Sequence, residues 1–242
     1  MDHVVRLTPP AQYCPVVLDD RAHTYEPGAI NTCRGSLREL NFWHYYVSQH
    51  GKEFTVPRPL VPYLAEIVRA HTRCPVTLLD IGAGAASQMG QILPGSTTAV
   101  TACDVLAVAY ARIWQAARLS PWIRVEPADM AALPYRDHSF DVVHCANALD
   151  HAQNPFRSIQ EMVRVSRSVV YLRHLYKQAK SSHYVGLHQW DIAVVGKDLR
   201  ISWRAPPGNL FLLSECVPGF RVWYGRDVPE EGPKCIAVWE QH

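Results

Sequence analysis

Val76-Thr77-Leu78-Leu79-Asp80-Ile81-Gly82-Ala83-Gly84 is the stretch of this 242-residue sequence that decides the fold. The apolar run up to Ile81 contains branched side chains and predicts a buried β-strand. Gly82 and Gly84 follow at once, and glycine there lets the backbone turn sharply and approach a ligand closely. We expect a helix from this loop to about Leu93, whose N-terminus would favour a negative group. A bare Gly-X-Gly is also typical of a purely structural turn.

Strands and helices alternate after this loop, as in a doubly wound parallel sheet with helices on both faces. Apolar runs predict further strands at 98–104, 123–125, 140–145 and 168–174, with helices at about 105–118 and 155–166. The last third predicts a hairpin of 188–195 with 199–204, a short helix at 209–216, and strands at 220–224 and 234–239. The pattern therefore predicts an α/β fold with a seven-stranded sheet and a β-hairpin insertion after strand five.

Two helices precede the first strand and predict a cap. Apolar and aromatic residues recur at helical spacing over 35–50, and a second helix runs over about 60–70. Residues 1–33 contain four prolines and no sustained period, so we expect an extended, partly ordered arm. We therefore expect an arm and helical cap at 1–72 and a core at 73–242, with an insertion at about 175–207.

The composition is that of an ordinary globular protein. Lys and Arg number 24 against 22 Asp and Glu, which gives a formal net charge of +2. This balance argues against a dedicated nucleic-acid partner. No apolar run reaches the length of a membrane span and the start lacks the form of a signal peptide, which predicts a cytoplasmic protein. The seven scattered cysteines contain no Cys-X-X-Cys and fit reduced thiols.

Acidic residues follow the next two strands. Asp104 ends the second strand, where a carboxylate accepts two hydrogen bonds from a ribose diol, although it equally suits a helix N-cap. Asp129 follows the third strand and suits an exocyclic amine. Met130 beside it suits a purine ring or ordinary core packing. Because the carboxyl ends of parallel strands meet at one edge of the sheet, we expect these loops to converge with the glycine loop.

These residues resemble those of the class I S-adenosylmethionine-dependent methyltransferases of the small-molecule type. The resemblance covers about residues 74–174 and continues through Ser139-Phe140-Asp141-Val142-Val143, Asn147-Ala148-Leu149-Asp150-His151 and Asn154-Pro155. It implies a Rossmann-like fold with an antiparallel last strand, S-adenosylmethionine as cofactor and S-adenosylhomocysteine as product. Ala85, Ala86 and Ser166-Arg167-Ser168 depart from the family's usual residues. The residues that it implies for cofactor binding are Asp80, Gly82, Gly84, Asp104, Val105, Asp129, Met130 and Asn147.

A nicotinamide dinucleotide is the competing cofactor. Its site needs a third glycine for the pyrophosphate, and Ser87 stands at that position here. Asp80 before the loop suits a sulfonium cation and would repel a pyrophosphate. We therefore predict methyl transfer to an oxygen or nitrogen of a small molecule, in secondary metabolism or on a sugar-like group. The alternatives are a non-catalytic S-adenosylmethionine-binding interaction protein and, less favoured, an NAD-dependent oxidoreductase.

Histidines near the expected methyl group are the candidate bases. These are His151, His174 and His188, although any single histidine is more often a surface or core residue than a catalyst. Asp150 is placed either to orient His151 or to cap a helix. The cap helix and the segment 183–191 are the expected walls of the acceptor site, with the residues Tyr45, Tyr46, His183, Gln189 and Trp190.

Some features of the protein stay open at this point. We expect no metal ion, because no tight carboxylate cluster is evident, although Asp141, Asp150 and Asn147 leave some room for one. A homodimer is allowed, and the identity of the acceptor is not encoded in any motif.

Overall fold

The computed structural model describes residues 32–70, 74–204, 210–226 and 231–241. The arm predicted over 1–33 lies outside the described residues up to residue 31, and the first helix begins at Thr32, inside that arm. The helices are α1 Thr32–His50, α2 Pro62–Arg69, α3 Ala107–Ala117, α4 Pro155–Val165, α5 Gln178–Ser181 and α6 Leu213–Cys216, with 3-10 turns at Gly51–Phe54 and Leu149–His151. The strands are β1 Val76–Ile81, β2 Thr98–Asp104, β3 Val125–Pro127, β4 Phe140–Ala146, β5 Ser166–Leu175, β6 Trp190–Val195, β7 Asp198–Trp203, β8 Leu210–Leu212, β9 Arg221–Gly225 and β10 Lys234–Glu240.

Seven strands form the main sheet in the order β3-β2-β1-β4-β5-β10-β9. The strands from β3 to β5 are parallel, and β10 runs antiparallel to both β5 and β9. This confirms the predicted doubly wound sheet of seven strands with an antiparallel last strand. The strand order reverses between β1 and β4, and ligands of such sheets bind at the carboxyl edge beside that reversal.

The connection between β1 and β2 contains no helix, so the helix expected up to about Leu93 is wrong. The backbone here bonds to an upstream segment instead of to itself. Leu60 N–H donates to Ile92 O and Val61 N–H to Met89 O, while the N–H groups of residues 91 and 92 donate to Arg58 O. A Cβ on Gly90 would lie 1.9 Å from Pro59 O, so the two segments are in direct backbone contact. These bonds replace those that a helix would have made.

Two other boundaries differ from the prediction. The third strand lies at Val125–Pro127, two residues after the predicted start. The segment expected as a helix over 209–216 is divided into β8 and α6, because Phe211 pairs with Ile201 of β7. The predicted hairpin is therefore part of a three-stranded sheet in the order β6-β7-β8.

The two faces of the main sheet are covered differently. On one face, α2 buries Leu64 and Val68 against Leu78, Val142 and Ile236. On the other face, α4 and the three-stranded sheet share one buried cluster with the main sheet. This packing places the start of β6 beside the carboxyl ends of β4 and β5. None of the helices within the described ranges combines the length and apolar character needed to span a bilayer.

The cap helix α1 packs on α3 and on the glycine loop. Trp43 and Val47 share a buried cluster with Tyr110 and Trp114 of α3. Trp114 Nε1 also donates to Ala85 O at 2.8 Å. The loop after β1 is therefore held by side chains from α1 and α3.

Candidate active site

The glycine loop after β1 has two residues in the left-handed region of the backbone. Gly82 has φ +68° and Gly84 has φ +64°. A Cβ on Gly82 would lie 2.3 Å from Ala148 Cβ, and one on Gly84 would lie 1.9 Å from Trp43 Cζ2. Glycine is required at both positions for two reasons: the backbone is left-handed there, and the side chains of Ala148 and Trp43 pack directly against it. The close approach of a ligand to these glycines, which the sequence suggested, stays a prediction.

The N–H groups of this loop are engaged within the protein. Gly82 and Ala83 donate to Cys103 O at 2.9 and 3.1 Å, and Gly84 donates to Asp104 Oδ2 at 3.0 Å. A phosphate-binding loop offers such N–H groups to its ligand at the start of a helix. No helix begins within 82–97, and these three N–H groups have partners, so they are not available to a pyrophosphate in the way that a phosphate-binding loop requires.

Asp104 links the end of β2 to the glycine loop. Besides the bond from Gly84, its Oδ1 accepts from Leu106 N–H at 2.8 Å. Burial raises the pKa of Asp104 to about 6, against the effect of these two backbone bonds. Each carboxylate oxygen has further acceptor capacity. Asp104 therefore fixes the local backbone and still suits a ligand that donates hydrogen bonds.

The loops after β3 and β4 reach the same point. Met130 is partly buried, and its Cε would lie 3.5 Å from a Cβ on Gly82. Asp129 is exposed, and one of its oxygens accepts from Ala131 N–H at 2.9 Å. Asn147 has φ +51°, and its Oδ1 accepts from Leu175 N–H at 2.9 Å. The three loops therefore converge around Gly82, as the sheet order requires.

Asp80 is only 4% exposed and belongs to a buried hydrogen-bond network. Its carboxylate accepts from Ser87 Oγ at 2.7 Å and from His144 Nδ1 at 2.8 Å. His144 Nε2 then accepts from Tyr63 Oη of α2 at 3.0 Å. The network ties the glycine loop to β4 and α2. His144, which pairs with Asp80 across the two strands, is not among the residues predicted from the sequence; a polar residue inside the apolar run 140–145 was the available signal.

Asp150 lies at the centre of the three candidate histidines. His188 Nδ1 donates to Asp150 Oδ2 at 2.7 Å. His174 Nε2 lies 2.9 Å and His151 Nε2 lies 3.7 Å from Oδ1. His151 Nε2 is also 3.0 Å from His188 Nδ1. We call these four residues the histidine cluster; they come from the turn after β4, the end of β5 and the segment before β6.

The histidine cluster is buried at its acidic centre and more open at its rim. Asp150 is fully buried, whereas the side chains of His151 and His188 are 17% and 25% exposed. Burial alone would raise the pKa of Asp150, but the neighbouring histidines hold it well below the usual range. Burial lowers the pKa of His151. Burial opposes the charged form of His188 too, but the bond to Asp150 and its charge prevail and raise that pKa.

The residues expected as acceptor walls have different surroundings. Tyr45 is 66% exposed, and Tyr46 stacks on Phe42 of the same helix. Gln189 and Trp190 are buried, and both bond within the protein: Gln189 to the carbonyls of residues 184 and 186 and to Arg204, and Trp190 to the carbonyl of residue 152. Gln189 N–H also donates to Asp150 O at 3.0 Å, which ties this segment to the histidine cluster.

Two predicted residues, Val105 and His183, stand apart from these networks. Val105 follows Asp104 and is 36% exposed. His183 is partly exposed and has φ +55°. The His183 ring makes no side-chain hydrogen bond to the residues that the structure describes, and the Val105 side chain has no polar group that could make one.

Part of this chain is similar to a known protein family. Residues 79–172 match the family described as "Methyltransferase domain". No curated protein matches the chain. Among solved structures, a putative S-adenosylmethionine-dependent methyltransferase from Methanococcus maripaludis is 13% identical over 82% of this chain and 92% of its own, with a TM-score of 0.47. Magnesium protoporphyrin IX methyltransferase from Synechocystis with bound S-adenosylhomocysteine is 14% identical over 90% and 91%, with a TM-score of 0.43.

The matched family and the sheet order together define the class of protein. Residues 79–172 carry a methyltransferase domain, the sheet order is that of the class I S-adenosylmethionine-dependent methyltransferases, and S-adenosylmethionine is the cofactor of this domain. This confirms the resemblance noted in the sequence.

The residues around Gly82 fit that cofactor. Asp104 and Asp129 provide acceptor oxygens for a ribose diol and an amine, and Met130 provides an apolar surface beside the loop. The N–H groups of Gly82, Ala83 and Gly84 are already bonded within the protein, and S-adenosylmethionine contains no phosphate that would need them. The individual roles of the eight residues named for the cofactor stay predictions.

Proposed function

We propose that this protein transfers the methyl group of S-adenosylmethionine to an oxygen or nitrogen of a small-molecule acceptor. The observation that carries this proposal is the histidine cluster at the carboxyl edge of the sheet. Three imidazoles and a buried carboxylate gather where β4 and β5 end, beside the loops that converge on Gly82. The near-neutral charge of the chain supports a small acceptor over a nucleic acid.

S-adenosylmethionine supplies a methyl group already activated by its sulfonium leaving group. The protein then has to align the acceptor and remove its proton. An acceptor hydroxyl or ammonium group needs a base in reach, and imidazole is suited to that task near neutral pH. The more exposed rim of the histidine cluster, His151 and His188, is where an acceptor has access to imidazole nitrogen.

Asp150 stabilises the positive charge that forms when an imidazole of the cluster takes this proton. It contacts all three rings, so a proton received by one ring is held beside a fully buried carboxylate. Asp150 thereby acts as a positioning residue, comparable to the buried carboxylate of other carboxylate–histidine pairs. The Asn147 side chain holds the adjacent end of β5 in place through Leu175.

Release of S-adenosylhomocysteine in the presence of fractionated metabolite pools tests this proposal. We expect release that depends on one pool and a product heavier by one methylene. Asp150→Asn keeps the size of the side chain but removes its charge, and it should lower turnover by about 100-fold or more. His50→Ala is the matched control, because His50 also faces a carboxylate, Glu53, but lies exposed at the end of α1.

Three results would contradict the proposal. Binding of S-adenosylhomocysteine without transfer to any pool would favour the interaction protein. Tight NAD binding with none of S-adenosylhomocysteine would favour the oxidoreductase. Normal turnover of Asp150→Asn would remove the histidine cluster from the reaction.

A further inference from the structure

We propose that the histidine cluster is a binding site for one divalent transition-metal ion, with Zn²⁺ as the first candidate. Its protein ligands are His151 Nε2, His188 Nδ1 and the carboxylate of Asp150. These three donor atoms all lie within 4.8 Å of one another. This departs from our expectation that the chain holds no metal.

Two acceptor atoms of the histidine cluster compete for the single N–H of His188 Nδ1. The N–H at His188 Nδ1 faces both Asp150 Oδ2, at 2.7 Å, and His151 Nε2, at 3.0 Å. One N–H cannot point along both directions. A cation shared by the three groups would satisfy the same lone pairs at once.

Asp150 Oδ1 and His174 Nε2 are both buried and have no hydrogen-bond partner. They lie only 2.9 Å apart, but the contact lacks the alignment of an N–H···O bond. His174 Nδ1 must carry a proton, because it contacts the carbonyl oxygen of Leu175 at 2.8 Å. In a neutral His174, Nε2 therefore presents a lone pair to a carboxylate oxygen. Two facing acceptors inside the protein call for a positive charge close by.

The separations between the ligand atoms suit a small ion. Zn²⁺ binds imidazole nitrogen and carboxylate oxygen at about 2.0–2.2 Å, which places tetrahedral ligand atoms about 3.3 Å apart. The separations here are 2.7 Å from His188 Nδ1 to Asp150 Oδ2, 3.0 Å from His188 Nδ1 to His151 Nε2, and 3.7 Å from His151 Nε2 to Asp150 Oδ1. Shifts of a few tenths of an ångström would therefore open the cluster around an ion.

The donor set indicates which ions would bind. Two imidazoles and one carboxylate suit zinc or another transition metal, whereas Mg²⁺ and Ca²⁺ prefer oxygen ligands alone. Three protein ligands leave a position open, as in catalytic zinc sites. The partial exposure of His151 and His188 puts that position at the rim of the cluster. If the proposed methyl transfer is correct, an acceptor hydroxyl bound there would release its proton to solvent at the exposed rim more easily, because the metal-bound nitrogens of His151 and His188 would no longer be free to accept it.

Metal binding by the full chain tests the inference independently of any reaction. The protein is stripped with a chelator, dialysed, and titrated with Zn²⁺ and with Mg²⁺ by calorimetry, and bound metal is counted by elemental analysis. We expect one Zn²⁺ per chain and no saturable binding of Mg²⁺. His151→Ala and His188→Ala should each weaken Zn²⁺ binding by more than about 100-fold, since losing even an outer partner costs up to that much. His50→Ala should leave it unchanged.

Visible absorption of Co²⁺ in the same site provides a second readout. A Co²⁺ spectrum typical of four- or five-fold coordination should appear at one equivalent and be lost or shifted in Asp150→Asn, with folding of each variant checked by circular dichroism. The inference is overturned if the wild type binds Zn²⁺ no better than the double variant of His151 and His188, or if His50→Ala removes the binding. Zn²⁺ binding without methyl transfer would instead refute only the proposed function, and transfer by fully metal-free protein that binds no Zn²⁺ would refute only this inference.

Discussion

Replacing Gly84 by alanine should destabilise the fold strongly, because Gly84 lies under the Trp43 ring of the cap helix. The new Cβ would lie 1.9 Å from Trp43 Cζ2 and 2.3 Å from Cε2, far inside any allowed contact. Trp43 is 8% exposed and packs on Tyr110 at a ring separation of 6.0 Å. The ring therefore has to leave its place, or the loop has to move.

Two contributions set the size of the effect. A residue with a Cβ at a left-handed backbone position costs roughly 1–2 kcal/mol. Loss of a buried tryptophan from its packing costs about 3–5 kcal/mol when nothing replaces it. Because Trp43 would keep part of its contacts after shifting, we expect Gly84→Ala to lower the free energy of unfolding by about 3–6 kcal/mol.

Gly95→Ala is the matched control for backbone strain. Gly95 has φ +80°, but a Cβ there would have nothing within 4 Å. It should therefore cost only the roughly 1–2 kcal/mol of the backbone term. Urea denaturation followed by far-ultraviolet circular dichroism gives both values without relying on the fluorescence of Trp43.

A double-variant cycle with Trp43→Ala makes the test decisive. With the ring removed, Gly84→Ala should cost about as much as Gly95→Ala, which corresponds to a coupling free energy of about 2–4 kcal/mol. Equal costs for Gly84→Ala and Gly95→Ala in the wild-type background, or additive costs in the cycle, would refute the packing of the cap on the loop.

Two further predictions concern Asp104 and Arg164. The pKa of Asp104 in the folded protein is raised from 3.8 to about 6, so its contribution to stability is full below pH 3.8 and is lost as the pH rises through 6. If the ionised carboxylate of Asp104 binds the cofactor ribose, affinity for S-adenosylhomocysteine should rise by up to about tenfold per pH unit between pH 5 and 6. Calorimetry should show that Asp104→Asn removes this pH dependence. An affinity of the wild type that does not change with pH would argue against this role. Arg164 donates to the buried Glu161 and to the carbonyls of Leu133 and Tyr135. Arg164→Ala should therefore lower the free energy of unfolding by about 2–4 kcal/mol in urea denaturation. Arg157→Ala, which removes a second partner of Glu161, is the milder control. Comparable losses for the two variants would contradict this.

The strands of the core could be predicted because each one is a continuous apolar run. The register of β1 with β2 and β4 buries Leu78 and Leu79 on opposite faces, and this requires apolar residues at every position. The missing helix after the glycine loop could not be predicted. Its backbone partners lie at residues 58–61, and short-range periodicity carries no information about such bonds.

The site could be predicted only residue by residue. The sequence predicts His151, His174 and His188 as candidate bases because each follows or ends a parallel strand, which places it at the correct edge of the sheet. The three histidines come together around Asp150 only because of how the three-stranded sheet packs on α4. No local sequence pattern indicates the distance between these side chains. The sequence predicts no metal because it contains neither a Cys-X-X-Cys nor a tight carboxylate cluster, whereas most donors in the histidine cluster are imidazoles from separate segments.

The contact between Trp43 and Gly84 has a consequence for engineering this enzyme. Exchanging the N-terminal helices between relatives is an obvious way to alter acceptor choice, since a cap and a core look separable along the chain. Replacing α1 would remove the Trp43 ring that packs against Gly84, and the glycine loop would lose this packing contact. A chimaera would therefore have to carry the Trp43 position, together with its α3 neighbours Tyr110 and Trp114, as one inherited unit.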